Sequence, residues 1–335
     1  MATLAEVAAL AGVSTASASL VLSGKSSGRV SAQTAQRIRE AAQSLGYVRD
    51  ALASGLRSKQ TRTLGVVAHE LLQTPYATDM VDAIVSTCRE LSWSLLLTEA
   101  SDPAGIEEVT RELISRRVDR VLLAAMYHHV VEVPPAMPEG VLVLNGYADR
   151  PGIPGVVPDE VQGARDAVEH LLALGHRRIG HLTHGERSVA DAIRLRLGAY
   201  AAALRDAGLH PDPALVVRGG LKPEQADRSA AALLERPDRP TAVFCYNDAL
   251  AAGVYRQAAR LGLSIPRDLS VVGFDDLRLI STNLAPGLTT MRLPHRAMAG
   301  WAVRRLLGPA QPTPDLTRFH CDLIERASTA PPPRP

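Results

Sequence analysis

The sequence predicts an all-α helix-turn-helix module followed by a two-lobed α/β domain, and three observations carry that prediction. Residues 3 to 46 repeat apolar side chains at helical period between glycine stops. From Leu64 the pattern changes to short apolar runs alternating with longer helical segments. That series runs to Leu144 and restarts at Arg178, as two doubly wound lobes of similar size require. A chain of 335 residues with 46% hydrophobic content has apolar side chains enough for these cores, which excludes disordered and fibrous classes.

The helical module resolves into three short helices. Thr3 and Glu6 have capping-box spacing, in which a hydroxyl and a carboxylate satisfy the free amides of a helix start, and Leu4, Val7, Ala8 and Ala11 then share one face. Gly12 breaks this helix and Ser14 caps a second that carries Ala18, Val21 and Leu22 inward before Ser23-Gly24 ends it. A polar loop from Lys25 to Arg29 leads to Ser31, the cap of a third helix through Ile38, Ala42 and Leu45 that stops at Gly46. Two helices joined by a tight glycine turn and braced by a third form the helix-turn-helix arrangement.

In the larger part, the runs Leu64–Ala68, Ser94–Thr98, Val121–Ala124 and Val141–Leu144 read as buried parallel strands, with helices between the first three. Arg178–Leu182, Thr241–Cys245 and Ser270–Phe274 form the second series. Ligand sites in such sheets lie at the carboxyl ends of the strands, here facing the cleft between the lobes. The proline-rich end reads as a disordered tail.

Charge is unevenly spread. The whole chain carries a formal +2, yet residues 1 to 60 hold Lys25, Arg29, Arg37, Arg39, Arg49, Arg57 and Lys59 against only Glu6, Glu40 and Asp50. That basic end is the nucleic-acid candidate. Cys88, Cys245 and Cys321 are scattered, without zinc or redox spacing, and fit a reducing compartment. No signal-peptide pattern follows Met1 and no run approaches the roughly 20 apolar residues of a membrane span, so a soluble, cytoplasmic protein without membrane partners is expected.

The stretch Thr3–Ala8, Ala11–Ser14, Val21–Gly24, Val30-Ser31 and Leu45–Tyr47 resembles the DNA-binding headpiece of LacI/GalR-type (lactose repressor/galactose repressor) transcriptional regulators. Leu172–Ile179, Asn247-Asp248, Val271–Asp276 and Leu288–Thr290 match further signatures of that family in the expected order, so the resemblance spans about residues 3 to 326. It implies a headpiece over 1–47, a hinge helix or linker over 48–60, a periplasmic-binding-protein-like effector-binding and dimerisation domain over 61–326, and a disordered tail over 327–335.

The resemblance also implies site residues. The second helix would lie in the major groove, with Thr15, Ala16 and Leu20 toward base edges, and Ser14, Ser17, Ser19, Ser31 and Tyr47 on phosphate; Arg29 belongs to the same surface. Small hydroxyls at a helix start fix register without long side chains, although the same serines would serve as plain helix caps. Many members carry arginine where this chain has Leu20, and leucine offers a thymine methyl an apolar contact in place of a bidentate bond to guanine. Ala51 to Lys59 matches the hinge helix that folds on DNA: Leu56 as the minor-groove wedge, Ala53 allowing close approach of a partner hinge, and Arg57 and Lys59 near phosphate. Gly55 favours an ordinary flexible linker, and Arg49-Asp50 replaces the usual Pro-Asn before the helix.

For the effector pocket the resemblance points to Arg196, Asn247 and Asp275, with His69 and Asn145 following strands that face the same cleft. A fork donor, an amide and a carboxylate suit paired hydroxyls on a sugar or related polar metabolite. An interlobe ion pair or a turn cap is the alternative role for Arg196 and Asp275. Leu221 stands where many relatives carry a stacking aromatic. The implied output is repression by a homodimer on a pseudo-palindromic double-stranded operator, controlled by a small-molecule effector through cleft closure. A periplasmic sugar-binding protein would lack the headpiece, and no cofactor, metal set or catalytic residue is expected: His176, His181 and His184 lack a carboxylate partner and His128-His129 reads as a loop pair.

Overall fold

A computed structural model describes residues 2–24, 29–47, 60–71, 77–135, 137, 140–185, 191–309 and 311–333. The chain divides into two compact units, Met1–Thr61 and Arg62–Pro335. The first contains α1 (Leu4–Ala11), α2 (Thr15–Leu22) and α3 (Ala32–Ser44). Thr3 and Glu6 form the full capping box, and Gly12 closes α1 at φ 63°, a left-handed conformation that lets the chain swing by 103° into α2. Val7, Ala8, Ala11, Ala18, Val21, Ile38 and Ala42 pack into one small core. Leu45 departs from expectation: it is the C-cap of α3 and is 38% exposed.

The second unit holds two six-stranded sheets. The first orders β2 (Ser94–Ala100), β1 (Thr63–His69), β3 (Arg120–Ala125), β5 (Val141–Leu144), β7 (Gly155–Pro158) and β13 (Leu316–Phe319), all parallel. The second orders β9 (Val216–Gly219), β8 (Ile179–His184), β10 (Ala242–Cys245), β11 (Ser270–Asp275), β12 (Thr289–Arg292) and β14 (Asp322–Ile324), with only the β12/β14 pair antiparallel. A two-stranded ribbon joins β4 (Val130–Val131) to β6 (Tyr147–Ala148). Helices α4 (Thr78–Glu90) and α5 (Pro103–Ser115) cover the first sheet. On the second lie α6 (Glu160–Ala173), α7 (Asp191–Asp206), α8 (Pro223–Leu234), α9 (Asp248–Arg260) and the short α10 (Arg278–Ser281).

The lobes are not consecutive in sequence. After β12 the chain returns to the first lobe, where α11 (His295–Leu307) inserts Met298, Ala299, Ala302 and Val303 among Leu64, Val66 and Leu122. It then adds β13 to the first sheet and β14 to the second. Three crossings therefore link the lobes, after β7, β12 and β13, and two of them are tied together: Gln162 donates from Nε2 to the Cys321 carbonyl and accepts from the Cys321 amide.

The expected disordered tail is also corrected. The Ser328 hydroxyl is fully buried, donates to the Val271 carbonyl at 2.6 Å and accepts from the Thr289 amide at 2.7 Å. The Ala330 carbonyl accepts from Ser270 at 3.0 Å and from His176 Nε2 at 2.9 Å. Proline content limits regular structure, but backbone pairing to β11 supplies the hydrogen bonds that composition does not reveal. Ser328→Ala strands the Thr289 amide in the core and is expected to lower unfolding free energy by about 1–3 kcal/mol in urea titration; a chain ending at Arg326 should lose more. Unchanged midpoints would show that the tail contributes nothing to the lobe.

Candidate functional site

In the first unit, Ser14 accepts from the Ser17 amide at 3.2 Å and Ser31 from the Thr34 amide at 3.2 Å, so both act as helix caps. Thr15 and Ala16, on the first turn of α2, are exposed, as are Ser14, Arg29 and Ser31; Ser17, Ser19 and Leu20 are half-buried. Ala18 and Val21 on the same helix are buried, so one face of α2 is committed to the core and its N-terminal turn is left to solvent. Tyr47 packs its ring against the headpiece core. Ala53, Leu56, Arg57 and Lys59 lie outside the described residues.

The second unit gathers polar side chains at the carboxyl ends of its strands. Arg196, on α7, is almost wholly buried. Its Nε donates to Glu160 at 2.6 Å, and its Nη1 donates to the Tyr246 carbonyl at 2.5 Å and lies 3.6 Å from Asp275 Oδ1. Its guanidinium carbon stands 3.6 Å from the centre of the Phe274 ring and 4.6 Å from that of Tyr246, and such ring faces favour a cation. Glu160 opens α6 just beyond β7, and His128 Nδ1 lies 3.8 Å from its other oxygen. Burial works against the Glu160 charge, but Arg196 and His128 outweigh it and hold this carboxyl below its ordinary value. Asp275 is different: burial dominates, Arg196 opposes it only partly, and the carboxyl is pushed up to about 7.

Of the remaining expected pocket residues, Asn247 caps α9 by accepting from the Leu250 amide at 3.0 Å, which uses Oδ1 and not the amide hydrogens. Asn145 spends its side-chain amide on the Ala125 and Met126 carbonyls, at 3.2 and 2.8 Å, and pins β5 to β3. His69 sits edge-on to His129 at 5.4 Å, and its buried Nδ1 has no hydrogen-bond partner among the described residues. Asn145 and Asp275 both have positive φ, 60° and 104°. Strained backbone of this kind clusters at functional sites, and here it marks the ends of β5 and β11. Leu221 packs at the edge of the second-lobe core.

Sequence reasoning missed Glu160, which follows a strand of only four residues, and it read His128 as a simple loop residue, whereas the ring is buried against Glu160. The three histidines weighed as a metal set are separated in role. His176 binds Thr241, Ser270 and the tail, and His181 lies stacked between Tyr200 and Phe244, where burial pushes it down to about 4. His184 alone faces a cleft residue, Tyr246, at 5.8 Å. Among the described residues no group of three metal-ligating side chains converges.

Residues 3–50 match the family described as bacterial regulatory proteins, lacI family, and residues 168–329 match the periplasmic binding protein-like domain. The HTH-type transcriptional repressor CytR of Escherichia coli is 31% identical over 335 residues, covering 98% of this chain and 96% of that one. The chain belongs to the lacI family. The ribose operon repressor of Escherichia coli is 32% identical and is covered over its whole length, with 98% of this chain. Among solved structures, the lac repressor dimer bound to operator and the anti-inducer ONPF superposes with a TM-score of 0.79 at 28% identity, over 98% of this chain and 99% of that one. The complex of the regulator CelR with cellobiose gives 0.66 at 26%, over 98% and 100%. This lacI-family protein is thus a DNA-binding transcriptional repressor with an effector domain, not an enzyme.

The raised Asp275 carboxyl gives a checkable titration. Its folded form holds a proton between the ordinary carboxylate range and about pH 7, while the unfolded form does not. The stability it confers is therefore complete at low pH and is lost as pH rises toward 7. Relative to Asp275→Asn, wild-type stability should fall by up to about 1.4 kcal/mol per pH unit between pH 5 and 7 and level off above. A pH-independent difference in paired denaturation curves would exclude a raised carboxyl.

Proposed function

We propose that this regulator is cytoplasmic and acts as a homodimer, whose headpieces read a pseudo-palindromic operator while a small-molecule effector binds between the two lobes. The observation that carries the reading is the buried Arg196 cluster at the strand ends of a chain that also possesses a helix-turn-helix. The solvent-facing N-terminal turn of α2 supports Thr15 and Ala16 at base edges, with Leu20 beside them; Ser14, Ser17, Ser19, Ser31, Arg29 and Tyr47 would hold phosphate. Ala53, Leu56, Arg57 and Lys59 would engage the minor groove and its rims.

Charge balance narrows the effector. Among the described residues one guanidinium faces the Glu160 carboxylate and an Asp275 carboxyl that is neutral or negative, so this pairing leaves no positive charge to spare for a phosphate or carboxylate. A neutral polyhydroxylated molecule meets its needs: hydroxyls can donate to Asp275 and Glu160 and accept from Arg196 and the amide hydrogens of Asn247, with His69 and Asn145 at the rim. The CelR complex with cellobiose and the relative named for the ribose operon agree with this class.

The test begins with selection of bound sequences from a random duplex pool at about 0.15 M salt, where weak non-specific binding is suppressed. A palindromic motif is expected, and Leu20→Arg should move one base pair of each half-site toward guanine. Failure of well-folded protein to enrich any motif would remove the headpiece role. Neutral sugars and nucleosides should then change retention of that operator where their phosphorylated forms do not. A response confined to the phosphorylated forms would overturn the charge argument.

A further inference from the structure

The two lobes also touch through a contact beside the Arg196 cluster, which it meets at His128. Tyr147 is on β6 in the first lobe, and its hydroxyl donates to Asp191 Oδ2 on the first residue of α7 in the second. The Asp191 amide in turn donates to the His128 carbonyl of the first lobe at 2.8 Å. The Tyr147 ring stands edge-on to the His128 ring at 6.0 Å, and Arg194 holds the other Asp191 oxygen at 2.9 Å. One residue of the second lobe is thus gripped twice by the first, through its side chain and through its backbone. Both partners sit where closure brings the lobes together, and α7 carries Arg196 five residues beyond the grip.

We propose that Tyr147 and Asp191 form a latch that holds the lobes closed without effector and positions α7, so that Arg196 meets Glu160 before any ligand arrives. The chemistry favours this: a phenol donating to a carboxylate forms a charge-assisted hydrogen bond, and Arg194 keeps that carboxylate charged and oriented. A contact between two moving bodies changes their equilibrium only when one arrangement makes it and the other does not, and this bond can exist only with the lobes together. Tyr147 and Asp191 are positioning residues; neither needs to touch the effector. The latch itself is independent of the effector reading, and only its consequence for operator binding rests on it.

The Asp191 amide offers a direct readout. The first amides of a helix have no acceptor within it, so protection of this one from hydrogen exchange comes from the His128 carbonyl across the cleft. In ligand-free full-length protein, Tyr147→Phe removes one hydroxyl and keeps the ring, and exchange at Asp191 should become about tenfold faster while amides inside β1 and β8 keep their rates. Asp191→Asn retains an acceptor oxygen and should lie between the two. Wild-type rates at Asp191 in the Tyr147→Phe protein would overturn the latch. If that variant also exchanges faster throughout both sheets, the Asp191→Asn protein decides, since a faster Asp191 amide over unchanged sheets supports the latch and an unchanged amide refutes it. With the latch established, operator affinity of the Tyr147→Phe protein without any added metabolite should shift at least about threefold, since the lobe equilibrium has moved. Unchanged affinity beside faster exchange would show a lobe clamp with no regulatory output and overturn that part of the proposal.

Discussion

A guanidinium removed from water as completely as that of Arg196 survives only if each part of its charge is answered, and the surrounding architecture follows from that demand. Glu160 supplies the opposite charge, Tyr246 a backbone carbonyl, Asp275 a nearby carboxyl group, and Phe274 and Tyr246 the faces of their rings. These partners come from three places in the chain, the crossing after β7 and the ends of β10 and β11. Bringing them together around α7 fixes how the second sheet meets the strand that leaves the first. Losing either half of the Arg196–Glu160 pair would abandon a charge in a dry interior, which is why the pair constrains the fold as firmly as the apolar cores do.

The three crossings give this arrangement its mechanical character. Each is short, and the Gln162–Cys321 bonds make two of them behave as one strap. A strap of this kind resists sliding of one lobe over the other and still permits rotation about the crossings. The strand ends, with Asn145 and Asp275 in left-handed conformations, lie beside the crossing after β7, where Asn145 donates its backbone amide to the Val156 carbonyl and Asp275 shares Arg196 with Glu160. Ligand-sized polar chemistry and the hinge are therefore neighbours by construction, so an effector that prefers one rotation has leverage on the other parts of the molecule.

Much of this was legible beforehand where the signal is local. The Thr3/Glu6 box, the Gly12 turn, the Ser14 and Ser31 caps and all seven named apolar strands depend on neighbours in sequence, and each forms in place, although Ser94–Thr98, expected to be buried, lies in an edge strand with Ser94 and Leu96 exposed. What failed to show is what depends on distant segments. Gly155–Pro158 offers only Val156 and Val157 between a glycine and a proline, the residues of a turn, and so Glu160 behind it went unnoticed. The return of α11 and β13 to the first lobe carries no local mark, and neither does the pairing of Ser328 with β11. His128 looked like a loop residue because its place after a strand is a loop; its burial against Glu160 exists only in three dimensions. Arg196 and Asp275 are both legible as polar residues near strand ends, and the structure sets them 3.6 Å apart within the second lobe, not across the two lobes as the ion-pair alternative would have it.

The interleaving of the lobes also orders events during synthesis. The headpiece is encoded wholly within the first 61 residues and can fold as soon as they emerge. The first sheet waits for β13 and the second for β14 and the Ser328 segment, at the far end of the chain. Neither sheet is complete until β13 and β14 have been made. A chain cut short anywhere between Thr61 and β13 would therefore carry the three headpiece helices beside two sheets that each lack at least one strand.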